Sequence, residues 1–196
     1  MKNTVLLLVI VAFTPVQKPN IVFPFSADLE ENFSFPDEHQ IKNGSPLLTL
    51  PVLGKEWSLA FKVKLSNFSE GYAHCLNLIG ESEQEIAKIV LTSDRQFGVK
   101  FGYPYLTTDR NSIEDISSPS LEVWTQLEIS QVVQGSSTQI VFMRNGSFVG
   151  MLENRNPDNI LGVDMFAVQT GVTPQPGTIK DLTLRTDTSG NNMNPR

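Results

Sequence analysis

The segment of this chain best equipped to bind a ligand is Tyr103-Pro-Tyr-Leu-Thr-Thr-Asp-Arg-Asn-Ser112. Tyr103 and Tyr105 offer amphipathic ring faces on which a sugar or a peptide can stack. Asp109, Arg110 and Asn111 add directional hydrogen bonds beside them. These five are the candidate ligand-binding residues, although a hairpin loop could equally use its tyrosines to cover the edge of a core. Glu81-Ser-Glu-Gln-Glu85 is the carboxylate constellation of the chain. Fully extended, it would put Glu81, Glu83 and Glu85 on one face. Retaining glycosidases need two carboxyl groups about 5–5.5 Å apart. The residues between these carboxylates are polar, however, and the segment joins Leu76–Ile79 to Ile86–Ile89. It therefore reads as a solvated hairpin turn, and no catalytic residue is assigned.

Other reactive types are isolated. His39 and His74 have no metal-ligand spacing. No Gly-x-Ser-x-Gly elbow, phosphate loop or dinucleotide fingerprint occurs. The chain is expected not to be an enzyme and to need no cofactor. Its lone cysteine, Cys75, lies in an apolar strand-like run and reads as a buried thiol, with an intermolecular disulfide as the alternative. Asn32-Phe-Ser34, Asn67-Phe-Ser69 and Asn145-Gly-Ser147 are glycosylation sequons, while Asn43-Gly-Ser45 is weakened by Pro46. With 15 basic and 21 acidic side chains and no basic stripe, the chain suits neither nucleic acid nor an anionic membrane surface.

The N-terminus bears on compartment. Lys2 supplies a positive charge, Val5 to Phe13 an apolar core, and Thr14-Pro15 a break. That core is too short to span a bilayer, which takes about 20 residues. Residues 1–17 read as a secretory signal, and no later segment is apolar enough to cross a membrane. The mature protein is expected to be secreted and extracellular, with Asn32, Asn67 and Asn145 as its glycosylation sites.

The elements that must position these residues are strands. Trp57, Leu59, Phe61, Val63 and Leu65 alternate with Ser58, Ala60, Lys62 and Lys64. Phe97, Val99, Phe101 and Tyr103 alternate with Gln96, Gly98, Lys100 and Gly102. Such period-two spacing buries one face and wets the other. Tyr72–Ile79, Ile86–Leu91, Glu122–Ile129, Ile140–Met143, Phe148–Leu152, Met165–Gln169 and Ile179–Leu184 complete the expected strands. Asn145-Gly146 between two of them predicts a type I′ hairpin turn. Prolines, among them Pro46, Pro51, Pro119, Pro157, Pro174 and Pro176, are expected between strands. Many short strands with such punctuation predict an all-β antiparallel sandwich. One domain is expected over residues 22–185, followed by a polar tail over 186–196.

Four pieces carry a resemblance. They are Trp57-Ser-Leu-Ala-Phe-Lys-Val63, Trp124-Thr-Gln-Leu-Glu-Ile129, Ile140 to Gly146, and Gly177-Thr-Ile-Lys-Asp-Leu-Thr-Leu184. In order and spacing they resemble the concanavalin A-like lectin/glucanase superfamily, and within it the laminin G-like branch. The resemblance implies a jelly roll of two antiparallel sheets, with the N-terminal strand pairing near the closing one. It also implies that calcium, used by several laminin G-like domains, could recruit Asp109, Asn111 or Asp115. Phe148 to Gly171 is similar to the closing strands of galectins. Their sugar site needs His-x-Asn-Pro-Arg and Trp-x-x-Glu. Here His74-Cys-Leu-Asn77 lacks the Pro and Arg, and Trp124 is followed by Thr-Gln-Leu, so a galectin-type galactose site is not implied. The expected function is a secreted, non-catalytic recognition module for an extracellular protein partner or a glycan. The alternatives are a glycan-binding lectin proper and a β-glucan hydrolase built on Glu81, Glu83 and Glu85.

Overall fold

The structure, a computed structural model, describes residues 31–102, 112–115, 117–154 and 157–187. Alternating apolar residues dictate strands, and the strands assemble into two stacked antiparallel sheets. The first sheet runs, in spatial order, β1 (Glu31–Phe35), β13 (Gly177–Thr186), β4 (Trp57–Leu65), β9 (Thr125–Gln134), β10 (Ser137–Arg144) and β11 (Ser147–Asn154). A short β2 (His39–Gln40) pairs with β13 beside that path. The second sheet runs β3 (Leu48–Leu53), β12 (Ile160–Phe166), β5 (Ala73–Gly80), β6 (Gln84–Leu91), β7 (Phe97–Phe101) and β8 (Ser112–Glu114). This is the antiparallel sandwich that the alternation predicts and the two-sheet jelly roll that the resemblance implies, with β1 pairing with the closing β13. No helix among the described residues is long and apolar enough to cross a membrane.

The core lies between the sheets. Leu59, Phe61, Val63, Phe97, Val99, Phe101, Leu127 and Ile129 are each at most 3% exposed. Leu76, Leu78 and Ile89 join them in one cluster. The register shifts between His74 and Leu76, so Cys75 is an extra residue in β5. It sits wholly buried and unpaired, and burial pushes its thiol pKa up to about 12. Trp124 immediately precedes β9, with Lys64 and Lys180 ammonium groups 4.8 Å and 4.4 Å from a ring centre.

Several expectations need correction. Pro51 lies inside β3, not between strands. β3 is an edge strand paired only with β12, so a missing N–H can be tolerated there. The strand expected at Met165–Gln169 spans Ile160–Phe166 instead, because Gly162 and Asp164 mask its apolar signal. β1, β3 and β8 escape the period-two reading; β8 has only three residues. At the expected domain boundary, Thr186 ends β13 and Asp187 is buried with its N–H donating to Glu56 O at 2.9 Å. Residues 1–30 and 188–196, covering the expected signal and most of the tail, lie outside the described residues.

Candidate functional site: a cleft where the sheet edges meet

β8 and β11 are the edge strands at the same side of the two sheets, and they close on each other. Gly150 makes the approach possible: a Cβ there would lie 2.6 Å from Ile113 Cγ2. Beyond this contact an open cleft of about 490 Å³ forms at the rim. Glu114, Asp115 and Ser117 line one wall, and Arg144, Asn145, Ser147, Phe148 and Val149 line the other.

A buried ion pair makes the floor. Leu127 faces the core and Arg144 pairs with it across the strands, so the Arg144 side chain is directed inward. Its Nη1 donates to Asp115 Oδ2 at 2.5 Å, to Ser117 O at 2.7 Å and to Ser117 Oγ at 2.8 Å. Asp115 Oδ1 accepts from Ser117 N at 3.1 Å and Ser117 Oγ at 2.9 Å. Burial alone would raise the Asp115 pKa, but the donors from Arg144 and Ser117 outweigh it and hold the carboxyl below its ordinary value. Both carboxylate oxygens are therefore engaged by donors. Asp115, one of the residues that calcium could recruit, thus already accepts three hydrogen bonds.

The second wall is a fixed hairpin. Asn145 and Gly146 have φ of 49° and 72°, the left-handed pair of the expected I′ turn. Asn145 N donates to Gln126 O at 2.8 Å, and Gln126 N donates back to Asn145 Oδ1 at 2.8 Å. This reciprocal pair ties the turn to β9. The turn places exposed Ser147 and Phe148, the latter 40% exposed, at the cleft.

The outer face of the six-stranded sheet adjoins the cleft at Glu114. Register puts His74, Val90, Gly98 and Glu114 in one row, and Asn77, Lys88, Lys100 and Ser112 in the next. His74 Nδ1 lies 3.1 Å from Asn77 Oδ1 and donates to it in the neutral tautomer that carries its proton there. Burial lowers the His74 pKa, helped by Lys88 and Lys100, while the Asn77 bond and Glu85 act the other way. Lys100 Nζ sits 4.2 Å from the Tyr72 ring centre, and the Tyr72 ring packs edge-on against His74 at 5.9 Å.

Of the sequence candidates, Tyr103, Tyr105, Asp109, Arg110 and Asn111 lie outside the described residues; their segment connects β7 to β8. Glu81 and Glu83 are exposed on a 3-10 turn between β5 and β6, and Glu85 pairs with Lys88 at 2.6 Å. That is the solvated hairpin turn expected. Asn67 and Asn145 are exposed, and Asn32 lies in β1 opposite Arg185. Sequence reasoning missed Arg144, Glu114, Ser117 and Phe148 as cleft residues. The available signal was Arg144-Asn-Gly-Ser-Phe148, a charged and an aromatic residue flanking a rigid turn.

No protein-family model matches the chain, and no curated protein matches it in sequence. Solved structures do match in shape. The heptameric SAP-like pentraxin of Limulus polyphemus aligns with a TM-score of 0.52 and 16% identity, over 81% of this chain and 77% of that one. Galectin LEC-6 of Caenorhabditis elegans gives a TM-score of 0.48 at 12% identity, over 83% of this chain and 100% of that one. A sialidase carbohydrate-binding module (CBM40) of Ruminococcus gnavus, solved with α2,3-sialyllactose, gives 0.47 at 12% identity, over 76% and 92%. At such identities the likeness to the pentraxin bears on fold alone, and the fold is a jelly roll of two antiparallel sheets.

Proposed function

We propose that this chain is a secreted, non-catalytic recognition module that binds a glycan in the rim cleft between β8 and the β10–β11 hairpin. The observation that carries the reading is the construction of the cleft. Its volume of about 490 Å³ falls among small-ligand sites, which run about 300–1,000 Å³. An exposed Phe148 side chain supplies a surface for the apolar face of a sugar, and Glu114 and Asn145 supply polar groups around it. Arg144 and Asp115 hold the floor rigid, so that little order is lost on binding. Tyr103, Tyr105, Asp109, Arg110 and Asn111 stay in the proposal as ligand-binding residues, on their side-chain chemistry. Calcium remains part of the proposal through Asp109, Asn111 or Asp115. Within its fold we place the chain nearest the laminin G-like branch, on its Trp124 and Gly177–Leu184 strands.

Secretion rests on the composition of residues 1–17, and glycosylation at Asn32, Asn67 and Asn145 would follow from it. A protein partner is the second reading. The edge strand β11 favours it, because Phe148 and Met151, 40% and 54% exposed, stand together on that strand.

A glycan array run with and without calcium is the test. Selective hits that weaken at least tenfold in Phe148→Ala, and again in Tyr103→Ala or Tyr105→Ala, are expected. A blank array alongside specific capture of one extracellular protein, lost in Met151→Asp, would replace the glycan reading with the protein one. Turnover of a β-glucan abolished by Glu81→Gln would overturn the non-catalytic reading.

A further inference from the structure

The cleft has a sequon in its wall. Asn145-Gly146-Ser147 satisfies the acceptor pattern, and both Asn145 and Ser147 line the cleft. We propose that Asn145 carries an N-linked glycan in the secreted protein and that this glycan closes the cleft, so that modification decides ligand access. The proposal rests on the cleft and secretion readings above.

The local geometry accommodates the modification. Glycosylation uses Asn145 Nδ2, and the turn uses the other atoms. Oδ1 accepts from Gln126 N, and the backbone N–H donates to Gln126 O, both at 2.8 Å. In the transfer, Nδ2 bonds to the anomeric carbon of a lipid-pyrophosphate-linked oligosaccharide. The carbon–oxygen bond to pyrophosphate breaks, the lipid pyrophosphate leaves, and an amide proton passes to a base on the transferase. Asn145 keeps Oδ1 and one Nδ2 proton, so its pairing with Gln126 survives. Asn tolerates the positive φ of 49° that the turn requires there. Asn145, Gly146 and Ser147 are all exposed, so a sugar tree at this position displaces no packed side chain.

The same placement makes the glycan an obstacle. Its first sugar would hang from an atom of a residue that lines the cleft, at the same turn that presents Phe148. Asn67 provides the contrast. It is exposed on the turn between β4 and β5, its Oδ1 accepts from Phe68 N at 2.8 Å, and it does not line the cleft. A glycan at Asn67 leaves the cleft open.

The experiment compares wild type, Ser147→Ala and Asn67→Gln, each made in a secreting eukaryotic cell and in the bacterial cytosol, where no such transferase acts. Ser147→Ala removes the sequon but keeps Asn145 and its turn. Glycopeptide mass spectrometry reads occupancy. Binding is measured against a soluble panel of lactose, N-acetyllactosamine, chitotriose, mannotriose and laminaritriose. Occupied Asn145 is expected in secreted wild type, with at least tenfold weaker binding than in the bacterial product. Secreted Ser147→Ala should bind as its own bacterial counterpart does, and secreted Asn67→Gln should stay as weak as secreted wild type. An unmodified Asn145 in secreted wild type overturns the proposal. So does an occupied Asn145 with affinity within twofold of the bacterial product. If bacterial wild type binds none of the panel, the cleft reading fails first and the gating falls with it. Gating that fails alone shows only in the secreted material.

Discussion

Arg144→Met removes the guanidinium under the cleft while keeping an unbranched side chain. Nη1 loses its donations to Asp115 Oδ2 at 2.5 Å, Ser117 O at 2.7 Å and Ser117 Oγ at 2.8 Å, beside a weaker Nη2 donation to Ser118 O at 3.4 Å. Hydrogen bonds involving a charged group contribute about 1.5–3 kcal/mol each. All three come from one nitrogen that carries two protons, so only two count in full, or about 3–6 kcal/mol gross. Breaking a buried pair from one side costs about 3–5 kcal/mol. Side-chain exposures of 15% for Arg144 and 8% for Asp115 let some water in and move the expectation to the low end. The methionine also regains packing near Phe97, whose ring centre lies 5.9 Å from the guanidinium carbon. The expected loss is about 3 kcal/mol at pH 7. At about 2–4 °C per kcal/mol for a chain of this size, the melting temperature should fall by roughly 6–12 °C.

The loss should depend on pH. Asp115 is held below its ordinary pKa in the folded protein. Its stabilising contribution is complete above the unfolded-state value, about 3.9, and disappears as pH falls through the lower folded value. In Arg144→Met nothing but Ser117 opposes burial, so the carboxyl pKa rises and the variant gains by protonation where the wild type loses. Urea unfolding at about pH 7, 5 and 3.5 should show the deficit shrinking toward the acid end. A deficit below about 1 kcal/mol at neutral pH, or one that stays constant with pH, would refute the reasoning.

Other outcomes follow from single features. Cys75 is wholly buried with its pKa pushed up to about 12, so native protein should resist alkylation at pH 8 and react fully in denaturant. Rapid native labelling would contradict the burial. Gly150→Ala forces a Cβ to within 2.6 Å of Ile113 Cγ2 and should cost about 1–3 kcal/mol in thermal or urea unfolding. Paired with Ile113→Ala, it should cost less than the sum of the two single changes, and strict additivity would place the clash elsewhere. N-terminal sequencing of secreted material should start within a few residues of Pro15 to Lys18, whereas an intact Met1 on cytosolic protein would end the secretion reading.

The fold was legible because its information is local. Trp57 to Leu65 announce their buried face by alternation, and Asn145-Gly146 announces a turn by a dipeptide that suits two positive φ values. β3 was hidden because Pro51 argues against a central strand, and nothing local reveals that this strand is an edge. Cys75 was placed in the core, but the bulge that puts it there is a register shift between partners, which one strand's pattern does not encode.

The site was much less legible, because it is assembled across the chain. The floor joins Arg144 to Asp115, 29 positions apart, and the wall joins Asn145 to Gln126, 19 apart. A basic residue before a turn usually means a solvated surface, and the stacking of β8 against β11 is what draws Arg144 into a part-buried ion pair. This divides the cleft into parts with separable behaviour. Arg144, Asp115 and Ser117 spend their polar groups on one another, so changing them should register first in stability and its pH dependence. Glu114 and Phe148 stand exposed at the mouth, so changing them should leave the melting temperature within a few degrees and act on ligand affinity. A Phe148→Ala variant that unfolds as readily as Arg144→Met would mean that the ring is a core residue, and the cleft would lose its stacking surface.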